Sequence, residues 1–448
     1  MLDSQAALDL CAALLDAARR SGADAADAVA RSIASLGVSV RLGKLEDVER
    51  SESEEAGLRV FAGGRSASIT TSDFSRVGIA DLAERAVAMA RAAPEDRYAG
   101  LAPVEALARG PHTDLDLADP ADPTPAALRE AALETEDAAR AVGGVSNSEG
   151  ASAGAARALA VLATSTGFAA GQAGTSHSRS ASVIAGEGAG MQRDSAHRTA
   201  RHAADLPASA QIGRLAGERA VARLEPGSLH SGAMPVVFAP RVGGSLIGHL
   251  VGAMGAPSVA RRASFLLGRE DEALFPAGLR IVENPHKPRG LRSRPYDGEG
   301  VATAPRALVE NGRMTGWLTN VASAAQLGLA LTGHAARGTS GAPGVSVSNL
   351  DLLPGAATPA ELIADIADGV WVDYLIGQGV NGVTGDYSRG AAGRRIVGGE
   401  LAGPVAGFTI AGNLLDMFAA LSAADDLESW RAVNVPTLRV EGMTVAGG

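Results

Sequence analysis

Glycine is the feature that most limits what this chain can become. It fills 56 of 448 positions, well above the ~7% usual in globular proteins. With 21 prolines the two together still fall below the ~25–30% at which disorder becomes the expectation. The chain is therefore expected to fold, with frequent turns. Aromatic residues make up 3% and hydrophobic residues 46%, which implies cores of Ala, Val, Leu and Ile that bury less area per residue than aromatic cores.

This punctuation places the elements. Residues 6–20 have helical apolar spacing and stop at Ser21-Gly22. Residues 38–42, 58–61 and 67–71 alternate as strands, with Gly63-Gly64 a hairpin turn between the last two, and 79–92 return to helix. Residues 94–125 read as a surface connection whose aspartates, Asp114, Asp116, Asp119 and Asp122, form a solvated face. A calcium loop is the sharper alternative, but the run lacks a closing Glu. Residues 124–142 are helical, and 143–204 suggest an antiparallel meander carrying His177, His197 and His202. No acid pattern links these imidazoles, so solvated or hydrogen-bonded histidines are favoured over a metal site.

A chain this long exceeds one ordinary core. The helix at 208–224, closed by Pro226-Gly227, gives the boundary. Residues 1–225 are expected to form an α+β domain with helices on a mostly antiparallel sheet. Residues 226–448 should be strand-rich, with turns at Asn311-Gly312, Asn381-Gly382 and Gly398-Gly399 and helices near Leu246, Ile363 and Leu414. The fold class is α+β, and the second half should offer strand edges to which an extended peptide could be added.

A net charge of −10 and a pI near 5.4 argue against nucleic acid as a partner, because phosphate neutralisation needs clustered Lys and Arg. The single cysteine, Cys11, excludes an intrachain disulfide and reads as a small core residue beside Leu8, Leu14 and Leu15. No basic stretch precedes an apolar run at the N-terminus, and no ~18-residue apolar segment occurs. The expectation is a soluble cytoplasmic protein with no membrane partner.

Residues 236–268 carry the functional question. Val236, Val237 and Phe238 read as a buried strand, Pro240 and Gly243-Gly244 as a break, and residues 245–251 as the start of a helix. A zinc peptidase helix needs neutral imidazoles to hold the metal and a carboxylate to take a proton from bound water. Here there is one imidazole, His249, and the first acid downstream is Glu270. By residue chemistry, this helix cannot build a conventional zinc site.

Residues 379–421, GVNGVTGDYSRGAAGRRIVGGELAGPVAGFTIAGNLLDMFAAL, closely resemble the signature of the TldD/PmbA family on its PmbA (TldE) side. The TGDYSRGAAG and TIAGNLLDM blocks are the most specific, and the N-terminal half with Arg59-Val60-Phe61 is also similar. The resemblance implies one of two related subunits of a metallopeptidase, in which the TldD-type subunit carries the zinc motif His-Glu-x-x-x-His. Laid on this chain, that motif puts Gly244 at the first His, Ser245 at the Glu and His249 at the second His. The resemblance thus implies no catalytic or metal-binding residue and no cofactor in this chain, with zinc in the partner subunit.

Between Gly385 and Gly390 lie Asp386, Tyr387, Ser388 and Arg389, which with His249 are the candidates for substrate or partner contact. Flanking glycines allow close backbone approach, and Arg389 could pair a carboxylate. A Ser388-His249-Asp386 triad can be sketched, but nothing in the spacing supports it. The bland alternative is a structural turn in which Arg389 and Asp386 satisfy buried backbone groups. Three functional readings follow. One is a zinc-less subunit that pairs with a TldD-type chain and acts on unfolded segments and small peptides. The others are a stand-alone peptidase with unrelated ligands and a homo-oligomeric peptide-binding scaffold; a homodimer in the partner's absence also stays open.

Overall fold

Six antiparallel strands frame the N-terminal half: β1 (Ala25–Arg41), β2 (Lys44–Ala62), β3 (Arg65–Thr71), β4 (Val145–Thr164), β5 (Ala169–Ala185) and β6 (Gln192–Ala200), in the order β3-β2-β1-β4-β5-β6. The computed structural model describes residues 2–447. The Gly63-Gly64 hairpin forms as expected, both glycines at positive φ. The strands run much longer than their apolar alternation suggests. The first half of β2 is exposed on both faces and reads Lys-Leu-Glu-Asp-Val-Glu-Arg, so it has no period-2 signal; ladder pairing with β1 extends it.

Four helices cover one face in two pairs. α1 (Ser4–Arg20) and α2 (Arg76–Ala92) bury Leu10, Leu14, Leu82 and Val87 against Ala28, Leu58, Val60 and Val161. α3 (Pro125–Arg140) and α4 (Ser209–Val221) bury Leu128 and Ile212 against Val38, Val40, Ala153 and Val183. Their starts follow local chemistry: Asp3, Ser75 and Thr124 each accept a first-turn backbone N–H, and Pro125 sits where a helix has no use for its N–H. Cys11 lies fully buried, and burial pushes its thiol up to about 12, which suits the core role.

The acidic connection departs from the solvated face expected of it. Asp119 is buried, accepts backbone N–H groups from Ala121 and Ala203, and lies 3.2 Å from His177 Nε2. Asp116 pairs with Arg289 and His202. Sequence distance hid these contacts, since His177 arrives from β5 and His202 from the turn after β6, far along the chain. His197 packs edge-on against Trp430.

In the C-terminal half, β7 (Gly232–Phe238) is flanked by the strands Asp368–Val380 and Leu438–Ala446. The strands Asp386–Val397 and Glu400–Asn413 follow, and Glu400–Asn413 also pairs with Leu438–Ala446, so five strands close into a ring. Closure removes most of the free edges expected in this sheet. A second sheet orders the strands Arg313–Met314, Arg306–Glu310, Ile281–Asn284, Asn349–Leu352 and Val433–Asn434. α5 (Pro240–Met254) shares one core with both, burying Leu246, Ile247, Leu250 and Met254 among Phe238, Val372, Ile281 and Leu350.

α5 begins earlier than expected. Pro240 is its first residue rather than a break, and Gly243-Gly244 lie inside it. A Cβ on Gly243 would meet Val435 and Leu438 at 3.1 and 3.2 Å, so that glycine serves close packing.

The two halves meet over the other face of the N-terminal sheet, where Val29, Leu162 and Phe168 pack on Tyr296, Val301 and Val321. At this contact lies a buried ionic cluster. Arg59 Nε donates to Asp27 at 2.5 Å, Arg337 Nε donates to the other oxygen of Asp27 at 3.1 Å, and Arg59 lies 3.6 Å from Glu299. Glu299 accepts the Val321 N–H at 2.7 Å. Burial pushes the Glu299 carboxyl up to about 7, against the pull of Arg59. Among the described residues no helix is long and apolar enough to cross a membrane.

Candidate functional site

The Asp386–Val397 strand splits the sequence candidates between its two faces, as the two-residue pleat requires. Tyr387 and Arg389 are buried, at 1% and 8% exposure, and face α5. Asp386 and Ser388 are exposed on the opposite side. The sketched triad is therefore not assembled, and Asp386 and Arg389 do not act together on one buried turn.

His249 joins Tyr387 and Arg389. Its ring meets that of Tyr387 edge-on at 6.2 Å between centroids. Three polar atoms here are closed off from solvent without a hydrogen-bond partner: His249 Nε2, Tyr387 Oη and Arg389 Nε. Buried polar atoms are normally satisfied, so three from residues in one cluster mark a polar pocket with hydrogen bonds to gain.

Burial, and then the positive charge of Arg389, hold the His249 imidazole below its usual value. Burial pushes the Tyr387 phenol up to about 12, against the pull of the neighbouring Arg389. At neutral pH the pocket offers a neutral imidazole, a neutral phenol and one guanidinium, a set suited to binding a carbonyl or carboxylate oxygen.

A zinc ion does not fit this set. On this helix its second ligand would have to come from position 244 and the general base from position 245. Gly244 has no side chain, and Ser245 Oγ donates to the Val242 carbonyl at 2.7 Å. The charge that acts on His249 is a guanidinium, which repels a cation.

The turn that presents Tyr387 and Arg389 is stitched by its own polar groups. Asn381 Oδ1 accepts the Val383 N–H at 2.9 Å, and the Thr384 hydroxyl donates to Asp386 at 2.6 Å. Asn413 Nδ2 donates to the Thr384 carbonyl at 2.9 Å and to Asp386 at 3.2 Å, while its oxygen accepts the Leu415 N–H and caps the short helix Leu414–Ala419. The Thr384 hydroxyl and Asn413 amide hold the Asp386 carboxyl below its usual range. Gly385, at φ +82, passes close to Asn413 and Phe265, an approach that favours glycine. Asn413 and Phe265 were missed as site residues. An Asn before a helical run signals a cap, but nothing local shows that the same side chain also braces a turn 27 residues earlier.

Three parts of the chain match descriptions of one family: the PmbA/TldA metallopeptidase domain 1 over residues 26–90, the central domain over 118–224 and the C-terminal domain over 231–447. The chain is 35% identical to metalloprotease PmbA of Escherichia coli over 426 residues, covering 95% of this chain and 92% of that one. It is 34% identical to the PmbA homologue of Haemophilus influenzae, covering 97% and 94%. In fold it resembles TldE from Thermococcus kodakarensis, with a TM-score of 0.84 at 20% identity over 98% of this chain and 100% of that one. A solved Bacteroides thetaiotaomicron protein described as a candidate modulator of DNA gyrase gives a TM-score of 0.91 at 24% identity over the full length of both. Likeness over nearly the whole length, together with the TGDYSRGAAG turn that builds the pocket, leads to one conclusion: the chain belongs to the PmbA/TldD metallopeptidase family, among its PmbA (TldE)-type members.

Proposed function

We propose that this chain is the zinc-less subunit of a two-chain cytoplasmic metallopeptidase, completed by a TldD-type partner that carries zinc, and that the complex processes unfolded segments and small peptides. The observation that carries the reading is the state of the motif helix. α5 keeps His249 and a fully packed core, yet Gly244 and Ser245 stand where a ligand and a general base are required. A chain that keeps so large a fold without that chemistry keeps it for assembly and for shaping a chamber. The His249-Tyr387-Arg389 pocket gives this subunit a way to hold an oxygen of a peptide or of the partner chain, because its three orphaned atoms have hydrogen bonds to gain.

The test is reconstitution. Mixing the chain with its cognate His-Glu-x-x-x-His partner should give peptide hydrolysis that neither shows alone, with about one zinc per complex and none in this chain by itself. Full-rate hydrolysis by the partner alone would end the obligate-pair reading. Stoichiometric zinc in this chain, with activity lost in His249→Ala, would favour a stand-alone peptidase instead.

A further inference from the structure

The chain is acidic, with a net charge of −10, yet one seam between its halves collects cations. A cavity of about 530 Å³ is bounded by the end of β6 and the loops at 287–291 and 428–431. Arg198, Arg201, Lys287, Arg289 and Arg431 line it, against only Asp205 and Glu428 among acids. We infer that this seam is a binding site for a small polyanion, a ligand carrying two or more carboxylate or phosphate oxyanions. The inference does not depend on the peptidase reading.

Its warrant is that the cations are unevenly matched. Arg289 is paired, with Asp116 at 2.5 Å and Asp205 at 3.1 Å, and Arg201 is capped by the carbonyls of Thr175, Gly290 and Leu291. The other three differ. Lys287 Nζ reaches only the Ser429 carbonyl, at 3.1 Å, and Arg198 only the carbonyl of its neighbour His197, at 3.0 Å. Arg431 donates from its guanidinium to no acceptor among the described residues, while its backbone N–H is fixed by Asn434.

Arg198 and Arg431 each lie over the Trp430 ring at 3.8 Å, so the indole holds two like charges close together. Glu428 is the one acid whose charge reaches both, and its carboxylate already accepts the Trp430 Nε1–H at 3.0 Å. Burial, and then Arg198 and the more distant Arg219 and Arg241, push Arg431 down to about 10. It stays charged at neutral pH, in a place where it is poorly compensated. Like charges held together in a half-buried seam are unfavourable until a counter-charge arrives, and planar guanidinium groups match oxyanions. With Trp430 engaged by two guanidinium groups, recognition rests on charge rather than on stacking of a base. The volume admits a tricarboxylate or a pyrophosphate.

The experiment is calorimetric titration of the full chain with citrate and, separately, with pyrophosphate, at low and at moderate salt. Saturable one-site binding is expected, weakened at least tenfold in Arg431→Gln and in Arg198→Gln, with a smaller salt dependence in both. The tighter of the two probes identifies which oxyanion the seam prefers. Lys287→Gln, at the rim, gives a milder loss and serves as the test if either arginine variant fails to fold. Binding that is absent, that matches chloride at equal ionic strength, or that survives unchanged in the arginine variants would overturn the assignment.

Discussion

Two buried polar groups in this molecule are built on opposite principles. Where the halves meet, Asp27 receives Arg59 and Arg337, and Glu299 receives the Val321 N–H beside Arg59, so each charge faces an opposite one even though Arg337 Nη2 makes no hydrogen bond of its own. At α5, His249, Tyr387 and Arg389 come together and leave three enclosed atoms unbonded. A buried charge survives only when compensated, and removing one partner strands the others. An unbonded buried donor or acceptor is instead a cost already present in the fold. The first group therefore belongs to assembly of the fold, and the second has hydrogen bonds to offer something else.

The sharpest way to break this comparison is Asp27→Ala, which strands two buried guanidinium groups. It should destabilise the chain by about 3–5 kcal/mol, measured by urea unfolding; a loss below about 1 kcal/mol would show that the cluster is not a structural clamp. Glu299→Gln comes next and acts in the other direction. The carboxyl's folded value of about 7 lies above its ordinary 4.5, so folding favours its protonated form. The resulting penalty is absent below about pH 4.5, grows as the pH rises towards 7 and is complete above it. Gln keeps an acceptor for the Val321 N–H, so the variant should gain up to on the order of 3 kcal/mol at pH 8 and nothing near pH 4. An equal effect at both pH values would reassign the cause to packing.

Smaller effects are expected at the pocket, and in function rather than in stability. Arg389→Gln should lower hydrolysis by the reconstituted complex about tenfold, roughly 1.4 kcal/mol, while His249→Gln stays within a few-fold because the Gln amide keeps a neutral donor in that place. Unchanged turnover in both would leave the pocket without a role. The smallest effect belongs to Tyr387→Phe. Removing an enclosed hydroxyl that makes no hydrogen bond removes a cost already present and should raise stability by about 1 kcal/mol. A loss of several kcal/mol would mean that Oη is bonded and that the contrast between the two groups is false.

Much of this was legible beforehand, and the exceptions share a cause. The helices 6–20, 79–92, 124–142 and 208–224 announced themselves by apolar spacing and by stops such as Ser21-Gly22 and Pro226-Gly227, and glycine pairs marked the Gly63-Gly64 and Gly398-Gly399 turns. Length of strand did not show, because β2 borrows its order from β1 through ladder bonds while its own residues are charged and exposed. The start of α5 did not show either. A Pro and two Gly look like a break until Pro240 is seen at the first helical position and Gly243 against Leu438. The aspartates at 116 and 119 looked solvated because their partners, His177, His202 and Arg289, lie 58 or more positions away.

What the sequence determined by itself is local: which segments coil, where the chain turns, that Gly and Ser stand at positions 244 and 245, and, through its TGDYSRGAAG and TIAGNLLDM blocks, the family. The tertiary structure alone decided which side chains share a space. Asp386 and Arg389 are three residues apart yet face opposite sides of a sheet, whereas Arg389 and His249 are 140 apart and burial, with the guanidinium charge, holds the imidazole in its neutral form. Pleat alternation can be read along one strand, but the element that a face meets is set by ring closure and by the packing of α5, which depend on contacts between distant segments. For the same reason the paired cluster at Asp27 and the unpaired pocket at Tyr387 were indistinguishable until the chain was folded.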